Sequence, residues 1–276
     1  MALNLMYITN NVQVALIAEK YGVDRIFIDL ETLGKEERQK NLNSVKSHHS
    51  ILDVENISQK LTKSQLLVRI NPWHKNSVLE IEKVINAGAD IIMLPMWTSL
   101  REVESFIKAV NNRAKTLLLL ETKGAYECID SVLKTCRPDE IHIGLNDLHL
   151  SFGMTFMFEP LTNGMVESLC DKFNRYNLNY GFGGIAKLGC GDIPAEKIIM
   201  EHYRLGSKMA ILSRSFCNAE ELNFDLDKIE DVFSENMVKL REFEKSLLSL
   251  DKGQFLLNKQ DLALSVKNVV ETRKRR

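Results

Sequence analysis

Short runs of almost purely apolar residues recur along this chain, among them Ile26-Phe27-Ile28, Leu66-Leu67-Val68, Ile91-Ile92-Met93-Leu94 and Leu117-Leu118-Leu119-Leu120. Between them lie longer stretches whose apolar residues return every three or four positions, the spacing of a helix with one buried face. A strand that is apolar throughout is covered on both faces, which is the situation of a parallel sheet flanked by helices. Eight such runs can be placed, at 3–8, 25–31, 66–71, 90–94, 117–121, 141–144, 180–184 and 208–212. Helical patterns fall between most of them, at 12–21, 78–86, 99–111, 125–134, 160–176 and 194–205. Residues 32–64 are polar and read as an exposed loop with one or two helices, long enough to form part of an active-site rim.

Eight strand-helix alternations predict an α/β fold, a closed (β/α)8 TIM barrel, and 276 residues are enough for one. The competing architecture, an open doubly wound sheet, wants a glycine-rich turn after its first strand. Asn10-Asn11 stands there instead. From Asp225 onward the strands stop. Ile229, Val232, Phe233, Met237, Leu240 and Phe243 recur at helical spacing, and residues 256–270 repeat the pattern less clearly. We therefore divide the chain into a barrel, residues 1–222, and a C-terminal helical extension, residues 223–276, ending in the solvated basic tail Arg273-Lys274-Arg275-Arg276. The extension covers the barrel or reaches a second subunit, and a homo-oligomer is expected.

With 36 Lys plus Arg against 37 Asp plus Glu, no long-range field recruits nucleic acid or an anionic membrane. Cys128, Cys136, Cys170, Cys190 and Cys217 are scattered without paired spacing, as in a reduced cytoplasmic protein. No signal-peptide pattern opens the sequence, and no apolar run approaches the roughly 20 residues that span a bilayer. The expected partner is a small-molecule substrate.

Chemistry concentrates where apolar runs end in acids. In a barrel the carboxyl ends of the strands converge on one face, so Glu121 and Asp147, a strand-helix-strand apart, are placed to share one divalent cation. Each alone would serve as well to start a helix or cap a loop. Gly181, Gly183 and Gly184 after the seventh run, with Ser213 and Arg214 after the eighth, occupy the usual phosphate position of a barrel, although glycine also serves a tight turn. Trp73 and Trp97 follow strands three and four, as pocket lining or as packing. Lys123 has no apolar burial to lower its pKa and is rejected as a Schiff-base lysine.

Four segments, in order, resemble the HpcH/HpaI aldolase and citrate lyase superfamily: Ile28-Asp29-Leu30-Glu31, Val68-Arg69-Ile70-Asn71-Pro72, Leu120-Glu121-Thr122, and Ile143-Gly144-Leu145-Asn146-Asp147-Leu148 with Ser151 and Gly153 behind it. The match runs from about Gly22 to Phe216. The resemblance implies an aldolase-type carbon-carbon lyase in which Glu121 and Asp147 hold Mg2+ or Mn2+. A 2-oxo acid such as pyruvate would chelate that cation and react through its enolate. Arg69 would complete the clamp on a carboxylate or enolate oxygen, and Asn146 and Gly184 are the remaining candidate substrate contacts. Asp29 and Glu31 are expected to divide between the two sides of their strand, so we assign Glu31 to the site and Asp29 to the structure. The aldolase branch has a proton-transferring histidine after this glutamate, and this chain has Thr32. His48, or its neighbour His49, is the replacement available from the long polar loop. A citrate-lyase-like CoA-ester lyase and a non-catalytic barrel that binds metal and oxo acid are the alternatives.

Overall fold

The computed structural model describes residues 2–34 and 49–275. Its eight strands are β1 (Asn4–Ile8), β2 (Arg25–Asp29), β3 (Gln65–Arg69), β4 (Ile91–Leu94), β5 (Lys115–Leu120), β6 (Glu140–Ile143), β7 (Asn179–Ile185) and β8 (Met209–Leu212). All pair in parallel with their sequence neighbours, and β1 also pairs with β8, which closes the barrel. The helices around it are α1 (Val12–Lys20), α2 (Ile51–Ser58), α3 (Ser77–Asn86), α4 (Leu100–Val110), α5 (Lys123–Thr135), α6 (Leu145–Ser151), α7 (Glu159–Thr162), α8 (Met165–Arg175) and α9 (Ala195–Leu205), followed by α10 (Leu226–Leu247) and α11 (Lys252–Lys274).

Period-two alternation sorts each strand's side chains between lumen and helix layer. Met6, Phe27, Leu67, Ile91, Met93, Leu117, Leu119 and Met209 fill the lumen as one cluster, while the outward set packs under the helices as a second and larger one. The strands read as apolar on both faces because both clusters are dry. Below the lumen cluster, Arg25 of β2 and Glu140 of β6 form a buried two-pronged ion pair, with Nη1 and Nη2 at 2.5 and 2.7 Å from the two carboxylate oxygens. His142, one inward position above Glu140, donates from Nε2 to the Gly183 carbonyl at 3.1 Å. Burial pushes its pKa down to about 4, so the ring is neutral.

Helix starts follow the side chains that cap them. Asn11, at the break seen in the sequence, accepts from the Gln13 and Val14 amides, and Thr122 accepts from Ala125. Three expectations are corrected. The segment carrying Asp147 is a helix, α6, and not a loop. The helix expected at 160–176 is broken at Asn163-Gly164, where Gly164 takes φ +92°. The glycines placed after the seventh strand lie within β7.

The last two helices belong to the same core as the barrel. Ile229, Phe233, Met237, Leu240 and Leu247 of α10 join the outer cluster, with Phe233 edge-on to Tyr7 of β1 at 5.0 Å. Glu244 of α10 accepts the Leu3 amide at 2.8 Å. Helix α11 is held by Leu262 and Val266, by Asn258 donating to the Lys197 carbonyl, and by a Lys259–Glu167 ion pair. No helix among the described residues is long and apolar enough to cross a membrane.

Candidate active site

At the carboxyl end of the barrel, strands β2 and β3 bring Asp29, Glu31 and Arg69 together, and Glu121 and Asp147 follow β5 and β6. The β2–β3 register pairs Asp29 directly with Arg69, and the ion pair follows: Arg69 Nε and Nη2 donate to the two Asp29 oxygens, each at 2.8 Å. Glu31 lies 3.4 Å from the same Nε. Asp29 and Glu31 therefore do not divide between two sides. Residues two apart share a strand face, and both acids turn to Arg69. Burial opposes the charge on Arg69, but Asp29, Glu31 and Glu121 outweigh it and raise its pKa.

Glu121 follows β5 and is buried. Its Oε1 accepts the Met96 amide at 3.1 Å. Met96 follows Pro95 at the end of β4 in the left-handed region, φ +53°, a conformation rare for a side chain of this kind. Gly144, at the end of β6, makes room for the carboxylate. A Cβ there would stand 2.8 Å from Glu121 Oε2 and 2.9 Å from its Cβ, so only glycine fits. Burial pushes the Glu121 carboxyl well above the usual range; the charges of Asp147 and Glu31 add to the rise, and Arg69 pulls the other way. Asp147 is half-buried on the first turn of α6.

This donor set fits a hard divalent cation. Two carboxylates felt by each other, one of them resisting ionisation in a dry site, are what such an ion relieves. Among the described residues no three His, Cys, Asp or Glu side chains are grouped as a complete cage. Mg2+ needs none, since it commonly takes one or two carboxylates and fills its shell with water and substrate. Glu121 and Asp147 are the residues that would hold it.

Beside Arg69 opens a cavity of about 420 Å3 lined by Tyr7, Thr9, Asn10, Asp29, His49, Arg69, Asn146, Ser213, Arg214, Cys217 and Glu220 among others. Of the residues singled out in the sequence, Arg69 and Asn146 face it, and Ser213 and Arg214 stand on its far wall. Gly184 sits within β7 against the Ile211 carbonyl and Ser213, and it is not part of that wall. Thr32 is exposed. Its amide and hydroxyl both donate to Asn71 Oδ1, at 2.9 and 3.2 Å, and Asn71 in turn donates to Glu80 at 2.7 Å. Asn71, next after the strand arginine but one, thus holds the exit of β2. His48 lies outside the described residues. His49 lines the cavity, and its Nδ1 accepts the Asp29 amide at 2.9 Å.

Lys123 is exposed and 3.8 Å from Glu127. Trp97 is wholly buried in the outer core, and Trp73 lines a cleft between α3 and α4, away from the mouth. Sequence reasoning missed the Met96 amide, the Asn71 bridge and the β1 wall of Tyr7, Thr9 and Asn10. Only the last carried a signal, a polar turn closing an apolar run.

Fold and site together define a parallel barrel whose catalytic end carries an arginine among acids. A family model described as HpcH/HpaI aldolase/citrate lyase matches residues 4–158, and the chain belongs to that family. Similar solved structures include an HpcH/HpaI aldolase from Desulfitobacterium hafniense DCB-2, at 15% identity and TM-score 0.61 over 83% of this chain and 92% of that one. An HpcH/HpaI aldolase/citrate lyase family protein from Burkholderia cenocepacia J2315 follows at 12% identity and TM-score 0.58, covering 82% and 94%. A variant of the citrate synthase SbnG superposes at 15% identity and TM-score 0.58, covering 83% and 94%. At such identities the likeness is one of fold. No curated protein matches the sequence.

Proposed function

We propose that this protein is a divalent-metal-dependent carbon-carbon lyase of the aldolase type, with a 2-oxo acid such as pyruvate as its enolate component. The observation that carries the reading is the crowding of acids at the barrel mouth, where Asp29, Glu31 and Glu121 gather about Arg69, Asp147 adds its charge beside Glu121, and burial raises the pKa of Glu121. Mg2+ or Mn2+ held there would act as a Lewis acid on the keto oxygen of a bound 2-oxo acid. Arg69, fixed by Asp29, offers planar donors to the substrate's oxygen atoms at the cavity wall. Asn146 stands on the same wall, next to Asp147. The acceptor aldehyde occupies the cavity towards Ser213 and Arg214.

The test is a screen of purified protein with Mg2+ or Mn2+, pyruvate and a panel of aldehydes, run beside CoA thioesters of hydroxy acids, with and without chelator and borohydride. Aldol chemistry that disappears with chelator and survives borohydride pretreatment with pyruvate supports the reading. Activity that survives the chelator, with a pyruvyl group trapped on a lysine, overturns it. Turnover of thioesters alone moves the protein to the citrate-lyase branch.

A further inference from the structure

The basic tail that the sequence left to solvent is held at its first residue. Arg273, on the last turn of α11, donates from Nη2 to Asp192 at 2.6 Å, and its guanidinium carbon stands 4.4 Å from the centre of the Phe156 ring. The two partners belong to different segments: Asp192 to the connection from β7 to α9, Phe156 to the connection from α6 to α7. Both connections follow strands, so both lie at the catalytic end of the barrel. The position of Arg273 is set by its own helix, where Leu262 and Val266 are buried and Lys197 reaches Asp261 and Ser265, each at 2.8 Å.

Each segment is built into one side of the mouth. Helix α6 carries Asn146 and Asp147 on its first turn and runs directly into the Phe156 segment, where the Met154 amide returns to the His149 carbonyl and Glu159 accepts the Thr155 and Phe156 amides at 2.7 and 2.8 Å. On the other side the Lys187 amide donates to the Ser215 carbonyl, which joins the β7 connection to the turn bearing Ser213 and Arg214 of the cavity wall. A guanidinium can join the two because its face stacks on a ring while its edge donates to a carboxylate; an ammonium has no such face. We propose that Arg273 is a positioning residue for the site, holding the α6 side of the mouth and the β7–β8 side in register, so that the C-terminal end of the chain is part of the frame of the cation and substrate site. For the substrate, the proposal rests on the 2-oxo acid reading.

Hydrogen exchange read by mass spectrometry, with calorimetric titration of Mn2+ and then of oxalate, tests it. In Arg273→Ala the amides of both segments, 152–158 and 186–193, should exchange about fivefold faster, the scale of an exposed ion pair and an exposed cation–π contact together. Arg273→Lys keeps the charge opposite Asp192 without the planar face, so it should restore segment 186–193 and leave 152–158 fast. Mn2+ and oxalate should each bind Arg273→Ala about threefold more weakly, while Arg275→Ala, one turn-end away and paired with Glu271, should match the unaltered protein in every measurement. Unchanged exchange in Arg273→Ala overturns the bridge, and faster exchange with unchanged Mn2+ and oxalate affinity overturns the positioning role. If the unaltered protein binds Mn2+ but not oxalate, the 2-oxo acid reading fails and the Mn2+ affinities alone decide the role of Arg273. If it binds neither, both fall.

Discussion

The two ends of the barrel each hold an arginine against carboxylates, and they balance differently. At the floor Arg25 meets Glu140 in a two-pronged contact, with both side chains no more than 5% exposed. One charge answers one charge, and the layer above is closed by Met6, Phe27, Leu117 and their neighbours. At the mouth Arg69 makes the same two-pronged contact with Asp29, two further acids, Glu31 and Glu121, act on it, and Asp147 adds its charge beside Glu121. The chemistry of the pair is the same at both ends. The surplus of carboxylate separates a structural plug at one end from the end where we propose that a cation is held.

If the floor is balanced, breaking one partner should cost stability and nothing else. Arg25→Met strands Glu140 in a dry layer, and an unfolding midpoint in urea should report a loss of about 3–5 kcal/mol. The double variant Arg25→Met/Glu140→Leu should recover most of that. A single variant as stable as the parent would mean that water reaches the floor and the contrast is false.

The mouth should respond in ligand affinity. Glu121→Gln or Asp147→Asn should weaken Mn2+ binding at least about a hundredfold, near 3 kcal/mol, with the circular dichroism spectrum unchanged. Unaltered Mn2+ affinity in both variants would remove the proposed metal site.

Arg69→Lys keeps the charge and loses the planar fork, so Asp29 and the substrate can no longer both be served. We expect kcat/KM to fall about thirtyfold, some 2 kcal/mol, in whichever reaction the substrate screen reveals. Full turnover would leave Arg69 with only the job that Arg25 has at the floor.

The smallest effect is a slope. Glu121 has a folded-state pKa above its ordinary value of 4.5. The unfolded chain therefore ionises first, and this group stabilises the fold less as pH rises from that value towards the raised one. In the presence of chelator the melting temperature of the parent should fall relative to that of Glu121→Gln as pH rises through this window, and added Mn2+ should remove the difference. His142, lowered to about 4, contributes in the opposite sense: its stabilisation is complete above the unfolded value of 6.5 and is lost as pH falls towards 4. Because His142 acts the other way over part of this window, the test is the difference between proteins: identical pH dependence in the chelator-treated parent and in Glu121→Gln would show that Glu121 does not carry the slope.

Much of this was legible in the chain because it depends on local pattern. The eight strands show as apolar runs, and Arg69, Glu121 and Asp147 stand out because they interrupt such runs where strands must end. What depends on register or on distant approach was hidden. Asp29 acquires its partner only when β2 is laid against β3, and Arg25 meets Glu140 across 115 positions of sequence. The Asn71 bridge to Thr32 and the His49 contact with Asp29 likewise need strands β2 and β3 in place before either can form. The α6 helix escaped because Gly144 ahead of it and Gly153 behind it look like loop punctuation, whereas Gly144 is there to leave space for Glu121.

The clasp between β1 and α10 bears on how the chain reaches this state. The Leu3 amide is taken by Glu244, and Arg241 holds the Leu3 carbonyl at 2.9 Å, while the neighbouring edge of β1 pairs only with β8. During synthesis at about 5–20 residues per second, roughly 200 residues separate β1 from β8, so the first strand waits on the order of 10–40 s for its second neighbour. In that interval the growing sheet has two open edges rich in apolar residues, the form most able to pair with another nascent chain. Strand β8 must therefore emerge from the ribosome before β1 is safe, and slow translation of the stretch between them would prolong the period of greatest risk.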